Sequence, residues 1–119
     1  MNERTSDPSI AAHFDNRSPV VRAIYDAVLH ASGKFGPVVE EPKKTSIHLV
    51  NRTAFAGIQT RRDFLILTIK ADRDLESGRI SRREQTSANR WHHEVKLTAP
   101  EEVDSELSRW LERAYALSS

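Results

Sequence analysis

Cysteine is absent from the 119 residues, which removes disulfides, thiolate zinc sites, iron–sulfur clusters and cysteine nucleophiles at once. That absence suits a reducing compartment, and a cytoplasmic location is expected. Long apolar runs are lacking too. The longest, "FLILTI" from Phe64 to Ile69, falls far short of the roughly 20 residues that cross a bilayer. The opening "MNERTSDPSI" has no apolar region of the signal-peptide kind, so no membrane is expected among the partners. Only four glycines are present, and none forms a phosphate-cradling loop; no helix-turn-helix or RNA-recognition octamer is visible. No serine sits on a nucleophile elbow. Nothing in the sequence calls for a cofactor.

What is there is charge, unevenly spread. The net charge is +1, yet Lys43 to Lys96 holds 12 basic and 6 acidic residues, a balance of +6. The flanks hold 6 basic and 11 acidic residues, a balance of −5. Either the basic middle is neutralised by the acidic ends across the fold, or it faces an anionic partner.

Residues 1–13 are polar and aperiodic and read as a mobile tail, leaving 14–119 as a single domain. "SPVVRAIYDAVLHASG" predicts a helix capped by Ser18, with Pro19 at its first position and Gly33 at its end. Ile24, Val28 and Leu29 recur at helical spacing. A short extended piece follows, Val38 to Glu40. From Thr45 the period becomes two: Ile47 and Leu49 share one face, with Ser46, His48 and Val50 on the other. In "AFAGIQT" Phe55 and Ile58 fall on opposite faces, and "FLILTIK" has the two-sided apolar character of a central strand. Lone Gly57 reads as allowing close packing inside its strand rather than the approach of a ligand. Ala71 to Asn89 is polar, a long loop or a hairpin with one weak strand. The final segment predicts a helix opened by Pro100, with Val103, Leu107, Trp110, Leu111 and Ala114 as its stripe.

The expected fold class is therefore α+β. It is a two-layer sandwich with both terminal helices on one face of a four- to five-stranded, mainly antiparallel sheet, its strands joined as a meander. Ile24, Val28, Ile47, Leu49, Phe55, Leu65, Leu67, Leu107 and Leu111 are the expected core.

Two constellations carry whatever chemistry there is. "RWHHEVKL" places adjacent histidines on a strand, where neighbours point to opposite faces. Trp91, His93, Val95 and Leu97 then share an apolar face, and His92, Glu94 and Lys96 a polar one. This makes His93 a hydrogen-bonded histidine at the core edge and His92 a solvated one, rather than a metal pair. The alternative is a metal-dependent nuclease-like enzyme, with Glu94-x-Lys96 on one strand face and Asp72 or Asp74 as the earlier acid.

The second constellation is basic. Lys43-Lys44 and Arg61-Arg62 are doublets at strand ends, and Arg79, Arg82 and Arg83 add to them. Arginine forks suit carboxylate and phosphate. The aromatic interleaving of a single-strand binder is missing. Lys43, Lys44, Arg61 and Arg62, with His48 and Arg52 in support, form the candidate anion-binding set. The expected function is a non-enzymatic binding or interaction module whose basic rim meets an anionic ligand, nucleic acid or an acidic protein surface. The acidic C-terminal helix is the rival claimant for those charges.

The runs "SPVVRAIYDAVL", "GPVVEEPKKTSIHL", "RTAFAGIQTRRDFLILTI", "WHHEVKL" and "WLERAYALS" together resemble the bacterial domain of unknown function family 5655. The stretch from Pro42 to Ile69 carries the resemblance best. It implies a cytosolic module of helix–strands–helix layout and supplies no activity, cofactor or catalytic residue. The layout is also distantly similar to frataxin-like α+β sandwiches. Their acidic first-helix ridge is missing, since this helix offers only Asp26 beside Arg22.

Overall fold

The computed structural model describes residues 9–119. Helix α1 (Pro19–Gly33) buries Val21, Ile24, Tyr25 and Val28; of the expected stripe Ile24 and Val28 are covered, while Leu29 is only half-buried. Ser18 has the extended backbone of an N-cap, but its side chain does not close on the helix. Its hydroxyl donates to Asp63, and its N–H donates to the Arg62 carbonyl at 2.7 Å. The first turn of α1 is thus tied to a distant strand turn instead of being capped locally.

Six strands follow: β1 (Val39–Pro42), β2 (Ile47–Val50), β3 (Ala54–Thr60), β4 (Leu65–Ala71), β5 (Ile80–Ser87) and β6 (Arg90–Leu97). They form one sheet in the order β1-β2-β3-β4-β6-β5, with every neighbouring pair antiparallel. The two strands beyond the central four are β1 and β5. The first grows from the short extended piece, and the second is the weak strand of the charged segment.

The expected meander holds only through β4. The chain then crosses to the far edge, forms β5 and returns as β6 between β4 and β5. The crossing loop runs over the helix-covered face. Leu75 from that loop is buried there, its N–H 3.3 Å from His93 Nε2.

The second helix, α2 (Ser105–Leu117), starts later than Pro100 suggests. Pro100–Glu102 is a separate 3-10 turn, and Asp104 is the true cap, accepting the Leu107 N–H at 3.0 Å. An aspartate at the cap satisfies one orphan amide, which Pro100 cannot do. Both helices pack on the same side of the sheet, α2 against β3 and β4 and α1 against β4 and α2. All nine expected core residues are buried there, joined by Ile58, Ile69, Val95 and Leu97. Phe55 and Ile58 are both buried rather than split between faces. A bulge between Leu49 and Val50 shifts the β2–β3 register, and the Phe55 ring meets Tyr115 of α2 at 5.3 Å.

Candidate functional site

The antiparallel path puts the β1–β2 turn and the β3–β4 turn at one end of the sheet and the β2–β3 turn at the other. Lys43 and Lys44 lie in the first turn, and Arg61 and Arg62 in the second. A 3-10 turn, Ala11–Phe14, joins them. His13 donates from Nε2 to the Lys43 carbonyl at 2.8 Å, and its own carbonyl accepts from the Thr60 hydroxyl at 2.6 Å. Arg17 adds a bond to the same hydroxyl at 3.1 Å. The last residues assigned to the tail, 11–13, are therefore structural; residues 1–8 of it lie outside the described residues.

Four of the six candidate anion-binding residues thus share one end, and two do not. Arg52 is at the opposite end, its N–H donating to the Ser118 carbonyl at 2.9 Å. His48 lies on the open face of the sheet, opposite Gly57 in register. Strand direction thus separates both supporting residues from the doublets. At the basic end Lys43 pairs with Glu41 at 3.4 Å. Among the described residues, Lys44, Arg61 and Arg62 are exposed and make no ion pair.

The acidic C-terminal segment does not claim these charges. Arg79 answers it instead, with bonds to Asp104 at 2.9 Å, Glu106 at 3.2 Å and the Glu102 carbonyl at 2.6 Å. The Leu107 N–H and Arg79 together hold the Asp104 carboxyl below its usual range. Arg113 pairs with Asp72 at 2.6 Å, and Arg82 with Glu94 at 3.4 Å.

The double histidine separates across the sheet. His93 is fully buried on the helix side, stacked on Trp91 at 5.8 Å. Its Nε2–H donates to the Asp74 carboxylate at 3.1 Å, the Leu75 N–H lies 3.3 Å from the same nitrogen, and Nδ1 has no partner. The His93 contact and the Arg83 guanidinium, at 2.9 Å, pull the Asp74 carboxyl below its usual range. His93 thus fastens the crossing loop.

Glu94 points to the other face. Neither expected acid accompanies it, since Asp74 is engaged with His93 and Arg83 and Asp72 with Arg113. Lys96 lies over the Phe64 ring at 4.3 Å. Among the described residues, no three of His, Asp and Glu are grouped to hold a metal ion.

The open face contains a feature that the sequence did not single out. A hollow of about 290 Å³ lies over the middle of β2, β3, β4 and β6, lined by Ser46, His48, Gln59, Thr68, Lys70, His92 and Glu94 and by Ala54 to Ile58 of β3, with Gly57 among them. Lys70 donates to the Ser118 hydroxyl at 2.7 Å and the Thr53 hydroxyl at 3.2 Å. Partial burial, with Arg90 nearby, lowers its ammonium pKa. The signal for this set was the period-two alternation, which puts His48, Thr68, Lys70, His92 and Glu94 on the side away from the apolar residues.

Of the comparisons with known proteins, the family models alone give a match. No curated protein and no solved structure matches the chain, so the frataxin-like likeness rests on element order alone. The model of the domain of unknown function DUF5655 matches residues 10–118, from the turn that joins the basic doublets to the end of α2, and the chain belongs to that family.

Proposed function

We propose that this domain is a non-enzymatic binding module that meets an anionic partner through Lys43, Lys44, Arg61 and Arg62. The carrying observation is the tie at that end. His13 bonds to the Lys43 carbonyl, and the Thr60 hydroxyl bonds to the His13 carbonyl. Ser18 meanwhile grips the Arg62–Asp63 turn. Two turns bearing four cations are thus tied together, while the acidic start of α2 is answered by Arg79. Three of the four, Lys44, Arg61 and Arg62, have no acid partner among the described residues, and such charges repel one another and favour a polyanion laid across them. The nuclease-like reading has no comparable support, because the acid it needs beside Glu94 is engaged elsewhere.

The test is binding to a DNA duplex and an RNA oligomer over a salt series. If Arg61 and Arg62 each meet a phosphate, Arg61→Ala with Arg62→Ala should flatten the log–log salt slope by up to about 1.8. Arg52→Ala, at the far end, should leave it unchanged. A folded double variant with the wild-type slope would refute the reading, and so would a wild type that binds neither oligomer.

A further inference from the structure

Gly57 lies mid-strand, where glycine weakens a sheet through lost packing and excess chain entropy. Two structural reasons normally excuse it, and neither applies. It has none of the positive backbone φ that excludes other residues, since among the glycines only Gly36 has it. Nor is it tightly packed: an added Cβ would meet His48 Cδ2 and Thr68 Cβ at 3.9 Å each, ordinary contact distances. The close packing expected from the sequence is therefore not the reason for the glycine. What its bare backbone does is leave the floor of the open-face hollow clear.

The walls are chemically specific. Across the sheet the register runs His48–Gly57–Thr68–Glu94, so His48 and Glu94 stand about 14 Å apart, three strand spacings. The span between them is floored by Gly57 and Thr68. Glu94 is neutralised by Arg82. Lys70 has only hydroxyl partners, two of them, and its ammonium keeps a third N–H to offer. His92 is its cross-strand neighbour. The hollow thus has one uncompensated cation with an imidazole beside it, and amide, hydroxyl and imidazole groups around a bare floor.

We infer that this hollow is a binding site for a small organic anion, with its oxyanion at Lys70 and His92 and its hydrogen-bonding body over Gly57. The site is separate from the basic end and lies on the sheet face, and its ligand is a small molecule rather than a polyanion. A carboxylate and a phosphate share the chemistry that Lys70 would recognise.

The test is a two-dimensional NMR titration of the whole protein with benzoate, phenyl phosphate and, as the uncharged control, benzamide. Saturable shifts at the amides of Gly57, Thr68, Lys70 and His92 are expected with at least one anion. Their relative strength tells carboxylate from phosphate preference, and benzamide should bind weakly. Gly57→Val should abolish the shifts, and Lys70→Met should weaken anion binding about tenfold or more, the scale of a hydrogen bond to a charged group.

Gly57→Ala checks the reasoning without filling the site so far. It should raise Tm, because the methyl group fits and the strand gains from it. Because Arg61 and Arg62 are untouched, polyanion binding at the basic end should survive in Gly57→Val, so failure of either site is seen separately. The inference is overturned if no probe gives saturable shifts in the hollow, or if Gly57→Val keeps them. It is equally overturned if the wild type sediments as a dimer that Gly57→Val makes monomeric, for the hollow would then be covered by a second copy.

Discussion

Leu67 and Ile66 are adjacent on β4, and replacing each by alanine is a direct test of which sheet face is covered. Leu67 is fully buried and pairs with Ile58 and Val95 under the helices; Ile66 lies between Gln59 and Lys96 on the open face and is only half-buried. Leu67→Ala deletes buried methyl groups and leaves a cavity that a central strand, held on both sides, cannot collapse. It should cost about 3–5 kcal/mol, the upper part of the range for such changes. Ile66→Ala exchanges a partly solvated side chain for a smaller one and should cost about 1 kcal/mol or less. With a urea m-value of about 1.5 kcal/mol/M, the first change moves the midpoint by about 2 M or more and the second by well under 1 M. Urea titrations followed by tryptophan fluorescence measure both. Equal losses would refute the two-layer arrangement, because they would mean that Ile66 is as deeply covered as Leu67.

The remaining predictions concern the polar contacts. Asp104→Ala should cost about 1 kcal/mol at neutral pH by removing the α2 cap. The folded Asp104 carboxyl titrates below its usual 3.8, so its contribution is complete above the unfolded value and is lost as pH falls through the folded one. Urea titrations at about pH 7 and about pH 3 should show the gap between wild type and variant narrowing in acid; a constant gap would contradict the assignment. His93→Phe keeps the stacking on Trp91 but takes away the Nε2 contacts with Asp74 and Leu75 of the crossing loop. By removing the Nε2 bond to Asp74 as well, it should cost about 1–3 kcal/mol and, by loosening the crossing loop, speed hydrogen exchange at the Leu75 amide. Unchanged protection there would mean that His93 does not hold the loop.

The parts of the fold encoded within a short window were legible. Helix α1 has Pro19 at its first turn and a stripe through Ile24 and Val28, and every strand with alternating apolar residues was found. The parts that depend on distant partners were not. Strand β5 buries Ile80 alone and leaves its other seven residues exposed, so it carries no period to read; it is a strand because β6 pairs with it. The insertion of β6 between β4 and β5 depends on His93, Val95 and Leu97 needing the helix-covered side, a non-local requirement. The start of α2 was misread because Pro100 is a strong local signal for any helical turn, and it opened a 3-10 turn instead. Gly57 was assigned to close packing because sequence gives its neighbours but not the 3.9 Å of space above it.

The charge asymmetry read from the sequence resolves into two populations, and this is what gives the candidate sites their meaning. Arg79, Arg82 and Arg83 were counted with the basic middle, yet each has an acid: Asp104 with Glu106, Glu94, and Asp74. They serve the fold, fastening the crossing loop and edge strand to α2 and β6. Surface pairs of this kind contribute little stability individually, but they settle where the acidic flanks spend their charge. Lys44, Arg61 and Arg62 remain unpaired among the described residues, held on turns braced by His13, Thr60 and Ser18. Lys70 remains too, on the open face, with hydroxyl partners and no carboxylate. A protein with acids to spare on its surface, such as Glu112 and Glu101, has left these four cations without them. The bracing of the turns and the bare floor beside Lys70 are the observations that set these cations apart from the paired arginines, and the two proposed ligand sites rest on them.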